Sequence, residues 1–342
     1  MLFEQIRAGG CLSYLVGCDD SCAAMLVDPH LDQLDRYLAI ATERGMRIHY
    51  VVETHTHADH FSAARQLAKQ LGAHVVMHRL SAAPFADVRV DDGETLIVGK
   101  LRVRVLYTPG HTEDAICLVF EDRVLTGDTL LIGGTGRTDL PTGNPDALYD
   151  SLFNKLLLLP DAMKVYPAHD YKDRASSTIG AEKATNPRLQ KTDRAEFVAL
   201  MKGLDIKMPD HLTEALRTNR TGGKTVAQLL AEAGREISFM SIHEVAQRIS
   251  RGSPDLVLLD VREKDAFNAG HLPGAMHLPR GQLELRVDKE FPDPGVRILT
   301  YCQFGRVSTL AAATLRQMGY TRTVALDGGY NDWVAAGLAT EA

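Results

Sequence analysis

The stretch IHYVVETHTHADH, residues 48–60, runs an apolar strand-like segment directly into Thr54-His55-Thr56-His57-Ala58-Asp59-His60. Three imidazoles and one carboxylate fall within the six residues 55–60, just past a strand end. Neutral imidazole and carboxylate are the ligands that zinc, iron and manganese take, and a strand terminus holds them more rigidly than a free loop would. A purely structural loop has no need of such a cluster, so the stretch reads as the centre of a metal site.

Further along the chain, matching residues each follow a β-like run: His111 after VLYTPG, Asp128 after VLTG and His169 after KVYPA. In an α/β sheet the ends of several strands converge on one edge, so residues remote in sequence share one ion there. Alone, His111 or His169 would read as a hydrogen-bonded surface histidine. Beside residues 54–60 they read as one constellation, whereas His30, His49, His74, His78 and His211 lack that context and are assigned no chemistry.

The surrounding sequence supports an α/β reading. From Cys11 to Asp128, runs such as LSYLV, AAMLVD, HVVMH, LRVRVLYT and ICLVF recur between turn signals, some alternating and some solidly apolar. That mixture predicts sheet covered on both faces. Helical segments at 31–45 and 62–72 each close on a glycine, suited to a left-handed cap. Residues 181–233 are polar with helical spacing, broken at Asn186-Pro187, Met208-Pro209 and Thr221-Gly222-Gly223. A boundary near Gly234 divides the chain into domains 1–234 and 235–342. In the second, helices alternate with the strands LVLLDV, VRILTYC and TVALD, which predicts a small parallel sheet with helices on both faces.

In that second domain, Val296 to Tyr301 reads as a buried strand ending in Cys302-Gln303-Phe304-Gly305-Arg306-Val307, with a helix from about Ser308. A cysteine on a tight loop above a helix N-terminus faces backbone N–H groups and the positive end of the dipole, and both favour its thiolate. Cys302 is therefore the candidate nucleophile. Cys11, Cys18, Cys22 and Cys117 read as packing residues.

Composition narrows the classes. The 342 residues are 45% apolar and 24% charged, enough to bury a sizeable core, and the net charge is −6 with no basic block. A phosphate-backbone partner is disfavoured. The longest apolar runs, such as KLLLLP at 155–160, fall far short of the roughly 20 residues a bilayer span needs. Glu4 and Arg7 interrupt what would be the apolar part of a signal peptide. Five cysteines, odd in number and sparse, fit a reducing compartment, and a cytoplasmic location is expected. A homo-oligomer is compatible with this reading.

The residues quoted above make the first domain resemble the metallo-β-lactamase superfamily, which implies an αββα sandwich with its metal site at one edge. Two branches of that family compete. One is similar to glyoxalase II, a two-metal glutathione thioester hydrolase, and every residue it needs is present. The other is the persulfide dioxygenases, which hold a single ferrous ion. The segments DTLLIGGTGRTDL (128–140) and YPAHDYKDRASSTIGAEKATNPRL (166–189) resemble the dioxygenase branch more closely.

That resemblance implies one Fe(II) per chain, held by His55, His111 and Asp128, with three coordination positions left for a persulfide sulfur and dioxygen. His57, Asp59, His60 and His169 then orient ligands and move protons around it, or form a second metal site. Glutathione persulfide is the implied substrate, and Arg137 and Tyr171 are the candidates for its carboxylates.

LLDVREKDAFNAGHLPGAMHLP (258–279), followed by the Cys302 loop, resembles a rhodanese domain, in which the cysteine carries a sulfane sulfur as a persulfide. The resemblance implies thiosulfate as sulfur donor and glutathione as acceptor. Gln303, Gly305 and Arg306 would form the loop around the transferred sulfur, and Asp260, Arg262 and His271 would brace it. Arg306 is the only arginine in the loop, so anion recognition differs from loops with more. The related phosphatase loop C-x5-R is excluded, because Ser308 stands where its arginine would be.

Overall fold

The computed structural model describes residues 1–252 and 255–342. The chain forms two compact units, Met1–Gly223 and Lys224–Ala342. The boundary expected at Gly234 lies inside the helix Val226–Glu236, which belongs to the second unit. Thr225 caps that helix by a reciprocal capping box with Gln228, and its last turn packs Ala233 against Ala312 and Ala313.

In the first unit, β1 (Leu2–Ala8), β2 (Cys11–Cys18), β3 (Ala23–Val27), β4 (Arg47–Val52), β5 (His74–His78) and β6 (Val88–Val90) lie side by side in that order. β1, β2 and β3 pair antiparallel, and β3 to β6 pair parallel. The second sheet contains β7 (Thr95–Val98), β8 (Leu101–Tyr107), β9 (Ile116–Val119) and β10 (Arg123–Gly127). A small hairpin, β11 (Leu130–Leu131) with β12 (Gly134–Thr135), precedes β13 (Lys164–Pro167) and β14 (Ser177–Thr178). The sheet runs β14-β13-β10-β9-β8-β7, with β10 and β13 parallel.

Alternation along each strand builds four layers. Met25 and Val27 of β3, Val52 of β4, Val103 and Val105 of β8 and Ile116 and Leu118 of β9 interleave between the two sheets. Their neighbours Leu26 and Val51 face outward onto Tyr37, Ala41 and Leu67 of the helices Leu34–Glu43 and Ala64–Leu71. On the opposite outer face, Cys117 and Val119 meet Leu148, Leu152 and Phe197 from the helices Pro145–Phe153 and Arg194–Lys202. The result is the αββα sandwich. Gly45 and Gly72 adopt the left-handed conformation expected past their helices.

In the second unit, β15 (Ser238–Met240), β16 (Val257–Asp260), β17 (Met276–His277), β18 (Ile298–Tyr301) and β19 (Val324–Leu326) form an all-parallel sheet in the order β15-β19-β18-β16-β17. Leu259 and Ile298 face one layer, with Leu283, Val287 and Leu315, while Leu258 and Leu299 face the other, with Val245 and Trp333. Among the described residues, no helix is long and apolar enough to cross a membrane.

Candidate metal centre and sulfur-carrying cysteine

The segment after β4 and the chain following β8, β10 and β13 bring the predicted residues together. One atom each from His55, His111 and Asp128 lies within 4.8 Å of the others, and all three residues are buried. His111 Nδ1 donates to the Arg137 carbonyl at 2.8 Å, so the lone pair of the neutral ring is on Nε2, 3.5 Å from Asp128 Oδ2. His55 places Nδ1 3.0 Å from Thr54 Oγ1, and its buried Nε2 has no hydrogen-bond partner. An orphaned, buried nitrogen costs free energy unless something binds it. Two aimed imidazole nitrogens and a carboxylate are a donor set that fits a first-row divalent metal.

Charge reinforces the geometry. Burial, with His57 adding to it, pushes the His55 pKa well below the ordinary value, so the ring keeps the lone pair a metal requires. Burial also opposes charge on Asp128, but the imidazoles of His169, His111 and His55 outweigh it and hold the carboxyl well below the usual carboxylate range. Gly127 has φ +51, and a Cβ there would sit 2.6 Å from Thr54 Oγ1, so only glycine lets β10 deliver Asp128 this close to the His55 loop.

Two further clusters adjoin the first. Asp28, Glu53 and His57 form one: His57 Nε2 lies 2.9 Å from Glu53 Oε2 and 3.2 Å from Asp28 Oδ1. Burial opposes its charge, yet these two carboxylates hold its pKa well above the ordinary value. Cys11, Asp59, His60 and His169 form the other. His169 joins it to the first, with Nδ1 2.7 Å from Asp128 Oδ1 and Nε2 2.8 Å from Asp59 Oδ2.

Cys302 follows β18 directly, beneath the helix Arg306–Gln317, and its Sγ lies 3.3 Å from the Ser308 backbone nitrogen. Gly305 caps that helix at φ +79. The loop is held from below: Tyr330 N donates to the Cys302 carbonyl and Asn331 N to that of Gln303. Arg262 forks onto Asp260 and also reaches the Gly270 carbonyl at 2.7 Å and Gln303 Oε1 at 3.2 Å. The Gln303 amide donates in turn to Asn331 Oδ1. His271 exchanges backbone hydrogen bonds with Glu341.

The family model of the metallo-beta-lactamase superfamily matches residues 6–169, and that of the rhodanese-like domain matches residues 241–336. Persulfide dioxygenase ETHE1 of Homo sapiens is 37% identical over 225 residues, which are 65% of this chain and 87% of that protein. The chain belongs to the metallo-beta-lactamase superfamily. The crystal structure of ETHE1 from Myxococcus xanthus matches at 41% identity and a TM-score of 0.64, over 66% of this chain and 100% of that one. A metallo-beta-lactamase from Staphylococcus aureus subsp. aureus COL, at 23% identity and a TM-score of 0.61, shares the fold over 96% of this chain and 99% of that one.

Within the metallo-beta-lactamase unit, the sequence candidates separate by position. Asp59, His60 and His169 share one cluster, while His57 pairs with Asp28 and Glu53, its ring centroid 4.3 Å from that of His60. Tyr171 is 77% exposed, its ring lying parallel to that of His169 with centroids 6.0 Å apart. Arg137 engages Asp139 through Nε and Nη2 at 2.6 Å and reaches the carbonyls of Ile206 and Lys207.

Cys11 is a correction. It is half-buried with Sγ 3.6 Å from Asp59 Oδ2, so it belongs to a polar cluster instead of the core. Cys22, also read as a packing residue, is exposed. Asp28 and Glu53 went unmarked as well. Asp28 follows the run AAMLV as Asp128 follows VLTG, and that parallel was the available signal.

Proposed function

We propose that the metallo-beta-lactamase unit oxidises glutathione persulfide with dioxygen to sulfite and glutathione, and that the rhodanese-like unit moves sulfane sulfur between thiosulfate and glutathione. The observation that carries this reading is the three-donor cluster of His55, His111 and Asp128, with His57 Nε2 paired to two carboxylates. Relatives named persulfide dioxygenase support it.

Fe(II), one per chain, would be held by His55, His111 and Asp128, and would supply a redox centre with open positions where a persulfide sulfur and dioxygen meet. Both oxygen atoms enter the terminal sulfur, and a water molecule completes the sulfite. The protein's part is alignment and proton management. Thr54 and the Arg137 carbonyl fix the two rings, so neither must reorient as charge develops. His169, held between Asp128 and Asp59, has its pKa raised well above the ordinary value against the effect of burial, and is placed to hold a proton beside the reacting sulfur. Tyr171 at the exposed edge and Arg137 are assigned to the carboxylates of the glutathionyl part. For Arg137 this exchanges the Asp139 carboxylate for another, like for like in charge.

In the second unit, Cys302 thiolate attacks the outer sulfur of thiosulfate, sulfite leaves, and glutathione takes the sulfur from the Cys302 persulfide. Ser308 N and the helix N-terminus stabilise the anionic sulfur, and Gly305, Gln303 and Arg306 shape the loop around it. The glutathione persulfide produced is the first unit's substrate.

A two-metal thioester hydrolase is the second reading, favoured by the adjoining Cys11, Asp59, His60 and His169 cluster. One experiment divides them: metal content together with oxygen uptake on adding glutathione persulfide. One iron per chain with one dioxygen consumed per persulfide is expected. Two zinc ions, no uptake and cleavage of lactoylglutathione would reject the dioxygenase. For the second unit, Cys302→Ser should abolish sulfite release from thiosulfate and leave oxygen uptake intact.

A further inference from the structure

The helix Leu212–Thr221 lies beyond residues 6–169 of the metallo-beta-lactamase match, and it buries an asparagine. Asn219 is 6% exposed, although asparagine is a residue that usually stays at the surface. Both its N–H side and its oxygen are engaged: Nδ2 donates to the His57 carbonyl at 2.9 Å and to the His60 carbonyl at 2.8 Å, and Oδ1 accepts from Ser62 N at 3.1 Å. This orientation of the amide is forced, because carbonyl oxygens only accept and a backbone N–H only donates. One side chain thus ties three points of the segment 57–62, which stands at least 157 residues earlier in the chain.

The two halves of the histidine-rich segment are held by different residues. Asp28 accepts from Thr54 and Asp114 from Thr56, which secures the part that carries His55. Asn219 grips the turn 57–60 at both ends. Between those ends stands Asp59, whose Oδ2 lies 3.1 Å from His60 Nδ1 and 2.8 Å from His169 Nε2. Contacts therefore lead from Asn219 through the turn to Asp59, and from Asp59 to the histidine assigned to hold a proton beside the reacting sulfur. The helix itself is seated by other contacts: the His211 ring lies 6.0 Å from that of Phe61, and the Gly222 carbonyl accepts from Arg65 Nη1. Neither of these reaches the turn.

We propose that Asn219 is a positioning residue for persulfide oxidation: by holding the His57 and His60 carbonyls it sets the turn that delivers Asp59 to His169. Its hydrogen bonds go to none of His55, His111 and Asp128, nor to Arg137 or Tyr171. Its effect therefore falls on the rate, while the affinities for metal and for substrate are set elsewhere. The inference rests on the dioxygenase reading and adds to it a residue from beyond the matched part of the fold.

The test uses the full-length protein and three variants. Asn219→Leu removes all three hydrogen bonds, Asn219→Asp keeps an acceptor for Ser62 N and loses both donors, and Arg65→Met loosens the same helix without touching the turn. In both Asn219 variants kcat for oxygen uptake should fall about a hundredfold, the effect of misplacing a group by about 1 Å, with KM for glutathione persulfide within about twofold and metal content near one per chain. Arg65→Met should keep the wild-type kcat. Backbone amide exchange on the metal-free protein gives a readout independent of activity: in Asn219→Leu it should quicken across 57–62 and not across 54–56. An unchanged kcat, unchanged exchange, or an equal loss of kcat in Arg65→Met overturns the proposal. If Asn219→Leu loses its metal, the isosteric Asn219→Asp carries the test, and loss of metal from both overturns the proposal, since Asn219 would then hold the fold and not the turn. Absence of oxygen uptake by the wild type overturns the dioxygenase reading instead, an outcome read before any variant is compared.

Discussion

His111 donates its Nδ1 proton to the backbone carbonyl of Arg137 across 2.8 Å. Because a carbonyl oxygen only accepts, this contact fixes the tautomer and presents Nε2 to Asp128. The same residue's guanidinium is held by Asp139.

Backbone and side chain of Arg137 therefore do separable work. Arg137→Ala keeps the carbonyl and removes the cation. Metal content should stay near one per chain, while KM for glutathione persulfide should rise about tenfold, the effect of losing a charge-assisted hydrogen bond of about 1.5 kcal/mol. Metal analysis and steady-state kinetics on one preparation check both halves. An unchanged KM would remove Arg137 from the substrate contacts.

Asp28 accepts from Thr54 N at 2.7 Å and Thr54 Oγ1 at 2.8 Å while facing His57. Asp28→Ala would strand a buried imidazolium and release the residue preceding His55. Breaking a buried pair from one side costs about 3 kcal/mol. For a domain of this size that lowers Tm by roughly 6–12 °C, and metal retention against a chelator should fall with it. Thermal denaturation of the metal-loaded protein is the measurement. A Tm within 2 °C, roughly one kcal/mol, would mean that Glu53 alone satisfies His57.

These two cases also show what sequence made legible. The segment 54–60 announced itself because its ligands are contiguous, and His111, Asp128 and His169 because each follows a β-run whose end must lie on the same edge. Helix ends at Gly45 and Gly72 were readable because a left-handed residue favours glycine. The partners of His57 were not, since Asp28 and Glu53 meet it only when β3 and β4 pair in parallel register. Cys11 escaped for a similar reason: it opens β2 and bridges to His169, a pairing set by tertiary structure. The start of the helix at Val226 is written locally, in the Thr225 to Gln228 capping box, whereas the boundary near Gly234 follows from the change in composition after the polar stretch 181–233.

Gly329 supports the sulfur-carrying loop from beneath. It sits at φ +89, and a Cβ would fall 2.7 Å from both the Cys302 carbonyl and the Gly305 nitrogen. Gly329→Ala must therefore push the loop amides out of position. Misplacing a catalytic group by about 1 Å costs on the order of a hundredfold in rate, so thiosulfate-dependent sulfite release should fall by about that factor. Oxygen uptake with glutathione persulfide should not change, because that chemistry is in the other unit. Equal loss of both activities would point to global unfolding and defeat the assignment.

Tyr37 supplies a pH test of the first unit. Its hydroxyl is buried, 2.7 Å from Ser13 Oγ, and accepts from His30 N at 2.9 Å. Burial pushes its pKa up to about 12, above the value of about 10 in the unfolded chain. An acid whose pKa rises on folding contributes stability that is complete below the unfolded pKa and is lost as pH climbs through the folded one. Stability of the first unit should therefore hold to about pH 10 and decline between about 10 and 12. Tyr37→Phe should be less stable at pH 8 by about 1 kcal/mol for the lost hydrogen bonds, with a shallower alkaline decline. Urea midpoints for both proteins across that range give the comparison, and parallel curves would show that the alkaline loss arises elsewhere.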